Sequence, residues 1–378
     1  MKILIVGGGI GGLTLGAFLQ DTEIEFEIVE KAKEPLGGYL LVMWDNARDV
    51  LAKLGLAEKF DTEGTPIHHY MMRTGSGELL RDYNLKDFNV NYGSAITMIA
   101  RKDLCEWLTG KIGEGKISRG VTMTAIEQKA AIVRVTLSNG EIREYDAVIG
   151  ADGVHSSVRE MLFKKHVESY ENWRSWWVWI DRDKSASATV TEYVEPKEFT
   201  LVFSGREKAL AILTAPVDHK IWDTPEGRID RLRTVFKDES VLVPEIFESL
   251  KDTDVMPADL IEVRVREWVK GRVAIMGDAA HSFGPHAGLG GSMAMEDAYI
   301  LAGELLKVNE NVSVEKALIN YQKIRRPRIV AAKRLNERMR FYTLIKSNVV
   351  RKLANTVMKL LPEQFLVGQY ARLLREEI

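Results

Sequence analysis

The chain has a single cysteine, Cys105, which excludes an internal disulfide and any thiolate metal cluster. Such usage fits a reducing compartment, and a cytoplasmic protein is expected. No C-x-x-C pair and no histidine cluster is present, so no metal site is expected. Long apolar runs are missing as well, and nothing approaches the roughly 18 uninterrupted apolar residues of a membrane-spanning helix. Neither sign of charge dominates. Lys and Arg number 52 against 54 Asp and Glu, a formal net charge of −2, which gives no electrostatic reason to expect nucleic acid as a partner. Internal repeats and low-complexity tracts are absent. Lys2 and the apolar residues after it could imitate a secretory signal, but no A-x-A cleavage pattern follows. What remains is 378 residues, 46% hydrophobic, enough for about two domains with sizeable cores.

Glycine is not scarce, and it is clustered in VGGGIGG at 6–12, GADGVHSSVR at 150–159 and GDAAHSFGPHAGLGG at 277–291. The first segment follows a short apolar run at 2–6 and precedes 13–19, whose apolar residues can face inward on a helix. Gly7, Gly9 and Gly12, with Gly11 between them, form G-x-G-x-x-G. The first glycine permits a tight turn, the second admits a pyrophosphate close to backbone, and the third lets helix pack on strand. The N–H groups of the helix start then face the phosphates. Glu30 ends the next apolar run, 24–30, where its carboxylate can accept ribose hydroxyls; Lys31 adjoins it. The alternative is a glycine-rich turn with an ordinary surface glutamate. The pattern identifies an adenine dinucleotide without choosing between NAD and FAD.

Further along, 31–38 reads as a loop and Val50, Leu51 and Leu54 as a helix ending near Gly55. Gly75 and Gly77 mark a hairpin, and 96–100 leads through Arg101 into a helix over 103–112. Segments 121–126, 131–137 and 141–145 form an antiparallel meander, and 146–150 is a buried strand delivering the second motif. Strands at 173–180, 189–193, 199–203 and 209–214, then a helix at 228–237, suggest a separate antiparallel sheet. A strand at 272–276 delivers the third motif into a helix beginning near Ser292, and the chain is mostly helical from about 313. The expected fold is α/β. A Rossmann-like nucleotide domain (1–66, 93–167 and 262–328) is interleaved with a smaller antiparallel-sheet substrate domain (67–92 and 168–261), and a C-terminal helical segment (329–378) follows.

With the three motifs in this order, the chain resembles the single-component FAD-dependent aromatic hydroxylases, monooxygenases built like para-hydroxybenzoate hydroxylase. The resemblance implies that Gly7, Gly9, Gly12 and Glu30 hold the ADP half of FAD, and that Arg101 in IARKDL contacts the flavin side. It further implies that Asp152 and Gly153 serve both FAD and a nicotinamide donor, that Asp278 meets the ribityl region, and that Pro285 and 288–291 run under the flavin ring. Asp152 could equally cap the helix after it, and Arg101 could be an exposed charge at a helix start. A helix near Ser292 would point its positive dipole end at the glycine loop, where a reduced flavin carries negative charge. The chain departs from the family in having Gly288, Leu289 and Gly290, then Gly291 and Ser292, where G-Q-G followed by x-N is frequent. Backbone N–H groups are left as the flavin contacts there.

The implied activity is NADPH- or NADH-dependent monooxygenation of an aromatic or conjugated small molecule. The nicotinamide reduces FAD, O2 adds at flavin C4a, and the hydroperoxide hydroxylates or epoxidises the substrate. Tyr193 and His286 are the candidate bases, with Pro285 beside the reacting ring. Trp173, Trp177 and Trp179 share a strand face opposite Trp176. That face, through Trp177 and Trp179, either walls the substrate pocket or packs on helices. From Lys323 to Lys352 there are eleven basic residues and one acidic, interleaved with apolar ones. This segment either caps its own domain with snorkelling side chains or touches an anionic membrane. A flavin-dependent reductase or dehydrogenase and a non-catalytic flavin-binding protein are the alternatives; a monomer or a homodimer is expected.

Overall fold

The structure, a computed structural model, describes residues 1–34, 38–86, 96–164, 166–181, 188–196, 198–205, 208–218, 223–237, 243–248, 250–343, 345, 347–362, 368, 370 and 372–374. Part of the expected 31–38 loop and the expected domain boundary at 92/93 lie outside the described residues. Two sheets dominate the α/β architecture. The first is six-stranded, in the order Val269–Lys270, Val273–Ile275, Ala147–Gly150, Lys2–Val6, Glu25–Glu30, Ile117–Arg119. It is parallel except at its antiparallel edge, Val269–Lys270. The ILIV run of its central strand is wholly buried, as expected for a parallel strand covered on both faces. The helix Ile10–Leu19 packs against Gly290–Leu305, and at Gly11 a Cβ would be in ordinary contact with the Ala294 Cβ at 3.6 Å while crowding the Met276 methyl at 3.2 Å.

The second sheet has seven strands, in the order Met256–Val265, His166–Ile180, Ala209–Pro216, Phe199–Ser204, Thr189–Val194, His69–Thr74, Leu79–Asn84. Its pairs are antiparallel apart from Thr189–Val194 with His69–Thr74. The strands Met123–Gln128, Val133–Leu137 and Ile142–Tyr145 form the expected meander.

The strand Leu40–Trp44 is a departure from the sequence reading, which placed only a loop and then a helix here. It pairs antiparallel with Ile96–Ala100, far away in the chain, and a five-residue apolar run carries no periodicity that tells strand from helix entry. Two helices also begin two residues earlier than expected, at Arg101–Gly110 and Gly290–Leu305. The basic segment forms most of the helix Val314–Thr343. Arg325 and Arg328 turn inward to Glu296, Arg325 also reaches Asp297, and Lys333 donates to the Val263 carbonyl at 2.6 Å.

Candidate functional site

The three glycine motifs converge at the C-terminal ends of the parallel strands, where open α/β sheets bind ligands. Gly7 has φ +114° and faces the second motif so closely that a Cβ would lie 2.3 Å from the Ala151 carbonyl oxygen. At Gly12 a Cβ would stand 2.0 Å from the Gly7 carbonyl oxygen, so only glycine lets the helix close on the strand. Gly9 is different. It caps a helix that has no side-chain cap, and a Cβ there would meet nothing within 4 Å. Uncapped N–H groups behind an open glycine make a cradle for a phosphate.

Glu30 organises the adjoining turn. Its Oε2 accepts the Gly8 N–H at 2.7 Å and its Oε1 the Ala32 N–H at 2.8 Å. A carboxylate has about four acceptor sites, so two remain for ribose hydroxyls. Lys31 is exposed beside it. In the second motif the Asp152 carboxylate is taken up locally, accepting from the Ser156 and Ser157 hydroxyls and from the Ser157 N–H at 2.7 Å. It therefore assists Ser156, the N-cap residue, at the start of the helix Ser157–Leu162, while Gly153 supplies a φ of +80°. Arg159, wholly buried, donates to the Ala279 carbonyl at 3.0 Å and so ties the second motif to the third. The sequence reading assigned it no role.

Tyr39, Arg101 and Asp278 stand close enough to act on one another electrostatically. The Arg101 N–H donates to the Tyr39 carbonyl at 3.0 Å, and its guanidinium lies 5.8 Å from the Tyr39 ring centre. Asp278 is solvent-accessible and yet deep within the fold, the position of a group on the floor of an open cleft. That depth raises its pKa against the pull of His281 and Arg101. Burial likewise raises the Tyr39 hydroxyl. The loop 288–291 then follows the strand Leu40–Trp44. Gly288, at φ +63°, would place a Cβ 3.3 Å from Val42, and Gly291 one 3.3 Å from the Met43 sulfur. A Cβ on Gly290 would meet open space, and Leu289 is buried beneath. Open glycines at both ends of a crevice wide enough to expose Asp278 fit a flat ring joined to a dinucleotide phosphate.

Behind this loop lies a buried ionic network. Asp297 accepts the Gly277 N–H at 2.9 Å, meets His281 Nε2 at 2.6 Å and takes Arg325 Nε at 2.7 Å. Burial alone would raise the Asp297 pKa, but His281 and Arg325 outweigh it and hold it at about 2. Glu296 accepts from Asn46 at 2.6 Å and pairs with Arg325 and Arg328. The network pins the third loop to the helices after it.

On the other side of the loop is a cavity of about 210 Å³. Pro285, His286 and Gly288 form one wall; Val190, Phe199 and Leu201 of the seven-stranded sheet form another. The strand residues Val42 and Trp44, and Met358 and Tyr370 from the C-terminal segment, complete it. The Trp44 ring stacks on Tyr370 at 4.3 Å, and its buried Nε1 has no hydrogen-bond partner among the described residues. One buried carboxylate enters this apolar space. Glu192 accepts the Tyr70 hydroxyl at 2.5 Å; burial raises its pKa, with Tyr70, Arg351 and His286 opposing.

Of the candidate bases, only His286 lines the cavity. Tyr193 is corrected to the opposite face of its strand, packed with Trp176 and Val202 in a separate core, because alternation turns Glu192 inward and Tyr193 away. Trp177 is half-buried with its ring 4.5 Å from Tyr39, on the crevice side. Trp179 is corrected to an exposed position at 38%, near the strand end, where it lines no part of the cavity. Trp173 instead packs against Phe199, one layer behind the cavity wall. Glu192, Tyr70 and Trp44 escaped the sequence reading. A lone carboxylate inside the apolar strand TVTEYV was the available signal.

The family model "FAD binding domain" matches residues 1–336. The chain is 29% identical over 329 residues to the aurachin C monooxygenase/isomerase of Stigmatella aurantiaca, covering 86% of this chain and 85% of that one. It is 27% identical over 348 residues to an FAD-dependent urate hydroxylase of Klebsiella pneumoniae, covering 87% of each. Among solved structures, Klebsiella pneumoniae HpxO complexed with FAD and uric acid superposes with a TM-score of 0.90 at 22% identity, covering 99% of this chain and 96% of that one. The 2,6-dihydroxypyridine-3-hydroxylase of Arthrobacter nicotinovorans gives 0.79 at 18% identity, covering 92% and 93%.

Proposed function

This chain belongs to the FAD-binding-domain family of flavoprotein monooxygenases, and we propose that it uses NADPH or NADH and O2 to hydroxylate or epoxidise an aromatic or conjugated small molecule. The observation that carries this reading is the shared wall. Pro285–Ala287 and Gly288 close the apolar cavity on one side, and 288–291 continue as the loop of the cofactor crevice on the other. A ring in the cavity is thereby held against the loop where the flavin would lie. FAD would be held by Gly7, Gly9, Gly12 and Glu30 at its ADP half and by Arg101, Asp278 and 288–291 further along. The chemistry bound FAD supplies is reduction by the nicotinamide donor and activation of O2 for transfer of one oxygen atom.

The protein's own part is binding, dryness and proton management. Phe199, Leu201 and Trp44 offer flat apolar surface to a conjugated ring and exclude water. Glu192 is the only carboxylate lining the cavity among the described residues, and Tyr70 fixes its orientation through Oε2. Burial raises the Tyr70 pKa far above its ordinary value, so its hydroxyl stays a donor. Glu192, its own pKa raised by burial, is suited to take the proton of a substrate O–H or N–H. Loss of that proton makes the ring electron-rich where oxygen is to be added. The preferred substrate is accordingly a phenol, enol or lactam with one donor on an apolar conjugated frame.

The test is oxidation of NADPH and NADH by the FAD-loaded protein across phenols, hydroxyquinolines and aromatic acids, with product mass read under labelled O2. Substrate-stimulated oxidation with one labelled oxygen in the product supports the reading. Flavin that neither nucleotide reduces in the presence of any substrate, or substrate reduced without oxygen, refutes it in favour of a flavin-binding protein or a dehydrogenase.

A further inference from the structure

The helix Asn348–Leu360 carries an apolar face that nothing in the described structure covers. Val349 (78% exposed), Val350, Leu353 (66%), Val357 and Leu360 (78%) are all exposed. At 100° per residue these five fall within an arc of about 100°. The opposite side of the helix is firmly held. Met358 lines the cavity, and the buried Arg351 donates to the Tyr342 carbonyl at 3.0 Å. Lys359 pairs with Glu78 at 2.6 Å, Arg81 donates to the Lys359 carbonyl at 3.0 Å, and Ser347 caps the first turn. The exposed strip is thus a fixed surface of a well-anchored helix. Tyr370 and Leu373, further along the chain, pack inward against Trp44 and Arg328.

We propose that this helix lies on the surface of an anionic phospholipid bilayer, with the five aliphatic side chains in the acyl boundary. Charge favours lipid. The helix contains Arg351, Lys352 and Lys359 and no acidic residue, and exposed Lys352 borders the apolar arc. Phe341, 80% exposed in the last turns of the preceding helix, adds an aromatic side chain near the same end. An apolar arc beside lysines is the composition of interfacial helices. Size argues against a second copy of the chain as occupant. Thirteen residues make a strip about 20 Å long, and at about 10 Å wide it offers roughly 200 Å², well short of the about 800 Å² per partner of a stable interface. No helix among the described residues is long and apolar enough to cross a membrane, so contact of this kind is peripheral. The proposal goes beyond the monooxygenase reading: docking here would set the Met358 wall of the cavity next to the bilayer, a short path for a lipophilic substrate.

The experiment is flotation of the FAD-loaded full chain with phosphatidylcholine vesicles, with and without phosphatidylserine, comparing wild type with the double variant Leu353→Asp and Val357→Asp and with Lys352→Glu. Because all three sites are exposed, flavin retention and thermal stability should stay at the wild-type level, which confirms folding independently of lipid. Wild type should float with phosphatidylserine vesicles and detach as salt is raised; the double variant should lose about tenfold or more of that partitioning, and Lys352→Glu a smaller part. No flotation of wild type, equal flotation with neutral vesicles, or unchanged flotation of the double variant overturns the proposal. So does a wild-type dimer that the double variant converts to monomer without any lipid binding, which assigns the strip to a second copy. None of these outcomes depends on turnover, so failure here leaves the proposed reaction untouched.

Discussion

Gly9 and Gly12 sit three residues apart in one motif, and the structure gives them opposite reasons to be glycine. A methyl group on Gly12 would be built 2.0 Å from the Gly7 carbonyl oxygen and 3.3 Å from Ile5 Cγ2. Ordinary contact requires well over 3 Å, so helix and turn must separate by more than 1 Å against a fully buried strand. Overpacking of this kind costs about 3 kcal/mol or more. Gly12→Ala should therefore lower the melting temperature of the flavin-free protein by about 6 °C, at about 2 °C per kcal/mol for a large domain. At Gly9 a methyl group meets nothing, and the backbone φ of −82° suits alanine. The poorer N-cap costs up to about 1 kcal/mol, and the stiffer unfolded chain returns about half of that or more. Gly9→Ala should thus melt like wild type and yet lose flavin, because its Cβ occupies the space through which phosphate reaches the helix N–H groups. Both variants would be purified, stripped of flavin, melted, and titrated with FAD by fluorescence. If Gly9→Ala keeps wild-type FAD affinity, or if it is destabilised as much as Gly12→Ala, the assignment of cradle and hinge is wrong.

The other expectations concern charge. Glu30→Ala should release the Gly8 and Ala32 N–H groups and weaken FAD retention about tenfold or more, measured by flavin-to-protein absorbance after gel filtration; full loading would refute the nucleotide assignment. Glu192→Gln should lower turnover about 100-fold while leaving flavin content unchanged. As burial raises the pKa of Glu192, the wild-type rate should climb with pH above the usual carboxylate range, and that acid limb should vanish in the variant; an unchanged pH profile would remove Glu192 from proton transfer. Asp297 has a folded pKa of about 2, below its unfolded value, so its stabilisation is present above about pH 4 and is lost as pH falls towards 2. The amount is on the order of 2 kcal/mol. Arg325→Met, which leaves Asp297 buried without this partner, should cost about 3 to 5 kcal/mol in denaturant titration at neutral pH; a loss under 1 kcal/mol would show that the network is not coupled to loop and helix.

Much of the nucleotide site is legible in the residues because its requirements are local. Glycine is favoured where the backbone turns through positive φ, as at Gly7 and Gly288, and is the residue that fits where the backbone lies against another segment, as at Gly7 and Gly12. The parallel strands announce themselves as apolar runs ending at those glycines, and the order of the three motifs points to an α/β flavoprotein. The cavity was not legible in the same way. Strand alternation makes Glu192 and Tyr193 face opposite sides, but which side meets the cavity is set by the register of Thr189–Val194 between Phe199–Ser204 and His69–Thr74. The strand Leu40–Trp44 exists because Ile96–Ala100 pairs with it, and Trp44 joins the cavity only through that pairing. The long basic run shows the same limit. Its composition permits either a membrane face or a domain cap, and the buried carboxylates of Glu296 and Asp297 draw Arg325 and Arg328 inward. The next helix is left to present its aliphatic side chains to the outside. Motifs whose chemistry is held within a few residues are written in the chain itself; burial, strand face and long-range ion pairing arise only when distant segments meet, because each depends on what lies on the other side.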